Sequence, residues 1–284
     1  MTKTDGRFFQ KAQSTSEAAT ISGALIPLAT SLEQISGAYG IQFDLRHLIS
    51  ATPKHLRPAG PKPNPFHPWD PRLEVETLGN EHVLILNKYP VQFGHMLLIT
   101  REWKPQTGWL QFSDFGAVAS VDADTTGLWF FNSGPDAGAS QPHRHLQLLP
   151  RATGEQICPR DRWFRAMADG THNDPKDRIQ QFSRVCALKG PLDGSILHGL
   201  YLRLAGELEL GHPQSDPRPR RAYNLLLCRD WMALILRGAE GTHGFSVNAL
   251  GFAGSLLCTP SSDRNWIVEE GPDALLASVL PASV

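Results

Sequence analysis

His143, His145 and Gln147 place three hydrogen-bonding side chains at a spacing of two. On a strand, alternate side chains share a face, so these three lie together while Arg144, Leu146 and Leu148 point the other way. An imidazole with an unperturbed pKa of about 6.5 is mostly neutral at pH 7 and keeps a lone pair on one ring nitrogen. That nitrogen can attack phosphorus while the other donates to a fixed acceptor, a backbone carbonyl, which sets the tautomer and the ring angle. Covalent catalysis of this kind divides a hard transfer into two easier ones. The protein then contributes in-line positioning and stabilises charge on the equatorial oxygens.

The loop before the histidines suits an anion. Gly134 and Gly138 permit positive φ and close approach of backbone to a ligand. The amides of Gly138, Ala139 and Ser140, together with the Ser140 hydroxyl, are expected to form a cluster of donors for phosphate oxygens. Pro142 stiffens the entry to the strand without adding a donor. Two histidines at i and i+2 are also a pattern for zinc, but that metal needs a further Cys, His or carboxylate ligand, and none lies nearby in sequence. No dedicated metal cluster is visible.

These residues must be positioned by a fold of mixed class. The segments 82–87 and 95–100 read as buried strands joined by the turn 88–94, an antiparallel pair. Residues 126–132 and 143–149 read as further strands, and 222–228 with 231–237 as a second pair around Arg229 and Asp230. Helices are expected at 8–39, 109–123, 177–188 and 195–208. The proline-rich passage 53–71 is an extended loop, and 211–221 a polar one. The expected architecture is α+β, an antiparallel sheet with helices packed against it. One catalytic domain over 1–284 is expected, with its core at 50–150 and a distinct carboxy-terminal portion at 190–284.

Bulk properties exclude several partners. The 27 basic and 28 acidic residues nearly cancel, so no global field favours nucleic acid or an anionic membrane. An anionic substrate must be held by a local arrangement of donors. The longest apolar stretch near the amino terminus, 21–29, is interrupted by Gly23 and Pro27, and no run approaches the roughly 20 residues that span a bilayer. Four separated cysteines, Cys158, Cys186, Cys228 and Cys258, form no C-x-x-C pair and suit reduced thiols. A cytoplasmic enzyme is expected.

The run Gly-Ala-Ser-Gln-Pro-His-Arg-His-Leu-Gln at 138–147 resembles the active-site signature of the diadenosine tetraphosphate phosphorylases (ATP adenylyltransferases). These belong to the histidine-triad superfamily, in the branch shared with galactose-1-phosphate uridylyltransferase. Asn-Pro-Phe at 64–66 and the segments 86–100, 222–232 and 247–257 resemble the same family in the same order. The last two favour the phosphorylases over the uridylyltransferases. The resemblance implies a histidine-triad-like fold, with His145 as the nucleophile, His143 orienting it, and Gln147 contacting the phosphate and steadying the covalent adduct. It further implies phosphate contacts from Asn132, Gly138, Ala139, Ser140 and Gln141, a nucleoside contact from Asn87, and a polyphosphate contact from Lys54.

The implied reaction is phosphorolysis. His145 takes AMP from diadenosine tetraphosphate, ATP leaves, and inorganic phosphate collects the AMP as ADP, with Mg²⁺ carried largely by the polyphosphate. Two departures are visible: Tyr89 stands where the family more often has Phe, and Leu236-Arg237 where it often has Pro-Arg. His82, His95 and His243 are expected to be mainly structural, and Arg218, Arg220 and Arg221 to form a solvated loop. Two other functions remain open on these residues: transfer to a sugar phosphate, and dinucleotide binding without turnover.

Overall fold

The amino terminus shows how local and distant forces divide the chain. In the computed structural model, residues 6–50, 64–152 and 154–282 are described. Helix α1 (Arg7–Ile21) ends where Gly23 adopts φ +69, the left-handed conformation that closes a helix, and Pro27 prevents its resumption. The helix expected over 8–39 is therefore half that length. Its second half forms strand β1 (Thr30–Ser36), paired antiparallel with β2 (Gln42–Leu48). The linker between α1 and β1 is tied to the turn that borders the site: Ile26 N–H donates to the Lys88 carbonyl at 2.8 Å and Leu28 N–H to the Pro90 carbonyl at 2.9 Å.

Strands β3 (Glu74–Leu78), β4 (His82–Leu86) and β5 (Met96–Thr100) follow, then helix α2 (Phe112–Asp122), β6 (Gly127–Asn132) and β7 (His145–Pro150). The second half of the chain runs α3 (Asp161–Ala168), α4 (Arg178–Gln181), β8 (Ser183–Ala187), α5 (Gly194–Glu207), β9 (Tyr223–Leu227) and β10 (Trp231–Leu236). It closes with β11 (Gly241–Thr242), β12 (Phe245–Ser246), α6 (Ala249–Phe252), β13 (Ser255–Cys258), α7 (Arg264–Glu270) and α8 (Pro272–Ser278). The helix expected over 177–188 is confined to the four residues of α4. Asp177 caps that turn, and the chain then pairs as β8 along the open edge of β10. Pairing with a distant strand outweighs local propensity here.

Eight strands form one antiparallel sheet in the order β3-β4-β5-β7-β6-β9-β10-β8, drawing on both halves of the chain. Strands β4, β5, β6, β9 and β10 are buried along their whole length. Their apolar side chains, with α2 and α5 packed together nearby, fill a single core cluster. A smaller sheet, β1-β2-β13, pairs β13 parallel to β2. The expected α+β class with an antiparallel sheet is what the chain adopts. Arg144 points away from the site, as the alternation on β7 requires. Its guanidinium donates to buried Asp114 at 3.1 Å, and His82 Nε2 reaches the other carboxylate oxygen at 2.8 Å. Burial alone would raise the Asp114 carboxyl, but the His82 bond and the Arg144 charge hold it below its usual range.

Candidate active site

His145 opens β7 and is fixed through its backbone. Its N–H donates to Gln106 Oε1 at 2.8 Å, and Gln106 Nε2 donates in turn to the carbonyls of His145 and Asn132, at 3.2 and 2.7 Å. The imidazole Nδ1 lies 2.8 Å from the His143 carbonyl. A carbonyl only accepts, so Nδ1 carries the proton and Nε2 keeps the lone pair. Burial pushes this imidazole down to about 4, which leaves it neutral and nucleophilic at pH 7.

His143 acts on His145 through that carbonyl. Its ring is engaged elsewhere: Nε2 donates to the Thr100 carbonyl at 2.8 Å, and Nδ1 accepts from the Asn64 amide at 2.9 Å. Both ring nitrogens of His143 are thus engaged within the protein. Among the described residues no group of three or more His, Cys, Asp or Glu is placed to hold an ion. Phe66, beside Asn64, packs its ring 5.3 Å from His145 and 5.9 Å from His143.

The orientation of Gln147 is set by a chain of amides that includes His95. Tyr89 N–H donates to Asn87 Oδ1 at 3.1 Å, so the Asn87 nitrogen faces His95 Nδ1, also at 3.1 Å. His95 Nδ1 is then the acceptor, and Nε2–H donates to Gln147 Oε1 at 2.9 Å. The outcome is a Gln147 side-chain nitrogen held as a donor toward the cavity that Gln147 lines. His95, expected to be structural, therefore belongs to the site. The visible signal was its place directly across from Asn87, a polar pair at the open end of two apolar strands.

The glycine loop departs from expectation in one respect. Gly138 N–H donates to the Pro135 carbonyl at 2.8 Å and Ala139 N–H to the Gly134 carbonyl at 3.0 Å. Two of the three amides expected to bind phosphate thus close the loop's own turn. The Ser140 amide and hydroxyl are the donors that this segment offers. Gly138 is needed for shape: it has φ +81, and a Cβ there would stand 2.7 Å from the Val247 carbonyl. Asn132 Oδ1 accepts from Asn224 Nδ2 at 2.8 Å and Ala249 N–H at 2.9 Å, so it anchors the loop as well as lining the cavity.

Arg237, whose place the sequence left unassigned, completes that anchor. It donates to Asn224 Oδ1 at 2.7 Å and to the Ala137 carbonyl at 3.2 Å, and burial pushes its guanidinium down to about 10. Sequence reading missed Gln106, Asn224 and Arg237. The facing asparagines at 132 and 224, in otherwise apolar strands, were the available sign for one of them.

The remaining expected residues are dispersed. Gln141 is half-buried with its Oε1 lacking a hydrogen-bond partner, and Lys54 lies outside the described residues. Arg218, Arg220 and Arg221 are exposed, with Arg220 paired to Asp216. His82 is buried against Asp114, and His243 stacks on Trp266 at 4.0 Å. All four cysteines are free and buried. Asn87, His95, Asn132, Gly138, Ala139, Ser140 and Gln147 line one cavity of about 1150 Å³ between the large sheet and β2/β13. A second, largely apolar cavity of about 460 Å³ shares Leu28, Val91, Gln92 and His95 with it.

The two buried imidazoles make stability depend on pH. Unfolded, each takes a proton near about 6.5; folded, His95 and His145 resist protonation until about 4. Below the unfolded value the unfolded chain binds more protons, so stability is full above that pH and falls as the pH drops, by about 3 kcal/mol per histidine near pH 4. Denaturant midpoints at pH 7 and 4.5 should fall more steeply for the native protein than for a variant carrying His95→Asn and His145→Asn. Parallel slopes would contradict the burial of both rings in neutral form.

The family model for the Ap4A phosphorylase N-terminal domain matches residues 1–160, and that for the ATP adenylyltransferase C-terminal domain matches residues 178–280. Two relatives from Saccharomyces cerevisiae align with the chain. Diadenosine 5',5'''-P1,P4-tetraphosphate phosphorylase 2 is 28% identical over 225 residues, covering 68% of each chain. Protein APA1 is 25% identical over 193 residues, covering 61% of this chain and 60% of that relative, so the match spans three fifths of its length. Among solved structures, yeast Ap4A phosphorylase Apa2 with AMP superposes with a TM-score of 0.76 at 24% identity, over 100% of both chains. The same yeast protein with Ap4A gives 0.73 at 24% identity, over 98% of this chain and 96% of that one. These likenesses establish a shared fold.

Proposed function

The chain belongs to the Ap4A phosphorylase family, and from that premise we propose that it cleaves diadenosine tetraphosphate (Ap4A) with inorganic phosphate to give ATP and ADP. The observation that carries the reading is His145: a neutral imidazole whose tautomer leaves Nε2 basic, beside an amide donor on Gln147 fixed by His95.

His145 Nε2 bonds to the α-phosphorus as the bond from that phosphorus to its bridging oxygen breaks, and ATP leaves with that oxygen. The ring, now bearing positive charge, is stabilised by the His143 carbonyl on Nδ1–H. The Gln147 nitrogen and the Ser140 donors meet the equatorial oxygens, where charge accumulates. An oxygen of inorganic phosphate then attacks the same phosphorus, ADP forms, and Nε2 regains its lone pair. In this reading Asn87, which lines the larger cavity, contacts the ribose, and the apolar cavity beside His95 receives the adenine. Mg²⁺ arrives on the polyphosphate as part of the substrate.

The partners are accordingly Ap4A, phosphate, ATP and ADP, and the proposed location is the cytoplasm. No helix among the described residues is long and apolar enough to cross a membrane. Product analysis with Ap4A, Mg²⁺ and phosphate tests the proposal. One ATP and one ADP should appear for each phosphate consumed, whereas ATP with AMP and no phosphate uptake would mark a hydrolase.

A further inference from the structure

The groups assigned so far to the transferred phosphoryl carry no net charge. His145 and His95 are neutral, and Gln147, Ser140 and Asn132 are uncharged donors. The cavity lined by His95, Gln147, Ser140 and Asn132 also includes two carboxylates, Asp136 and Glu240. A polyphosphate entering this space, even carrying its Mg²⁺, gains from a cation on the protein. Among the described residues lining the cavity, the one Lys or Arg is Arg46.

Arg46 comes from the small sheet. It stands on β2, in register with Leu32 of β1 and with Leu257 of β13, which also lines the cavity. Its Nε is buried with no hydrogen-bond partner, a costly state for a donor that water cannot reach. Arg151, whose guanidinium donates to Gln92 of the cavity wall at 3.2 Å, is close enough for the two positive charges to repel. The nearby counter-charges are Asp44 and Glu155, the latter 3.8 Å from Arg151. The unused buried donor of Arg46 is the feature here that an anion would satisfy.

The cavity also has room for more than the transferred group. At about 1150 Å³ it exceeds the roughly 300–1,000 Å³ usual for a single small-ligand site. Gln147 lines the cavity from β7 of the large sheet, and Arg46 lines it from β2 of the smaller one.

We infer that Arg46 holds the part of the polyphosphate beyond the phosphorus attacked by His145, the portion that departs as ATP. This assignment rests on the phosphorolysis reading above and adds to it a residue that neither the histidine motif nor the glycine loop contains. As the polyphosphate departs, negative charge builds on the bridging oxygen, and a guanidinium on that side lowers its energy.

The test is an affinity ladder in the His145→Ala protein, which cannot transfer AMP, measured by calorimetry with Mg²⁺ and AMP, ATP or Ap4A. Adding Arg46→Gln should weaken ATP and Ap4A by about 10-fold or more, the loss of one charge-assisted contact, and leave AMP within about twofold. Arg46→Lys, which keeps the charge without the fork, should weaken ATP by less than Arg46→Gln does. An unchanged AMP affinity shows that each variant is folded. Equal losses for AMP and ATP, or no loss for either, would overturn the role of Arg46 alone. If the His145→Ala protein with Arg46 intact binds neither ATP nor Ap4A, the phosphorolysis reading fails, and this assignment with it.

Discussion

Replacing His145 with alanine is expected to lower kcat by about 10³-fold or more while the protein stays folded, because the covalent route is lost altogether. The expectation of an intact fold follows from how the residue is held. Gln106 grips the backbone N–H and carbonyl at 145, and those bonds do not depend on the side chain. Among the described residues, the one side-chain hydrogen bond lost is Nδ1–H to the His143 carbonyl. Removing a ring that resists protonation until about pH 4 should even improve stability below neutrality. Steady-state rates with Ap4A and phosphate, read beside a melting curve, check both halves. A variant that keeps a tenth of the native rate would remove His145 from the chemistry.

The second large effect is at Gln147. Gln147→Leu keeps the size of the side chain but deletes the donor, and a loss of about 10²- to 10³-fold in kcat is expected, the usual cost of one preorganised donor to developing charge. The relay makes this loss specific. Asn87 and His95 present the Gln147 nitrogen before substrate arrives, so the donor needs no reorientation in the transition state. A group that acts there lowers kcat and kcat/KM together, whereas one that only binds substrate raises KM. A higher KM with native kcat would demote Gln147 to a binding contact.

What was legible in the sequence follows a physical division. The hairpins β4/β5 and β9/β10 stand out because apolar runs are interrupted by short polar turns, a pattern written in neighbouring residues. Strands β1 and β8 do not stand out, since each lies at a sheet edge with a composition that also suits a helix and takes its conformation from a partner elsewhere in the chain.

The site divides in the same way. His143, His145 and Gln147 share one element and a period of two, so their common face can be read directly. Gln106 cannot be found that way, because its significance lies in bonds to residues 39 positions along the chain and 26 positions along it. The amides of Gly138 and Ala139 looked free on composition alone; the tight turn from Gly134 engages both. Arg46 was invisible for a further reason. It stands on a strand that the sequence did not reveal, and the smaller sheet carries it to the cavity wall.

The most direct test of the account is intact-protein mass spectrometry after brief incubation with Ap4A and Mg²⁺ in the absence of phosphate, with His145→Ala in parallel. The expected result is an acid-labile AMP adduct on the native protein alone, discharged as ADP when phosphate is added. Turnover to ATP and ADP with no adduct on the native protein, or an adduct of equal yield on His145→Ala, would contradict the covalent histidine mechanism.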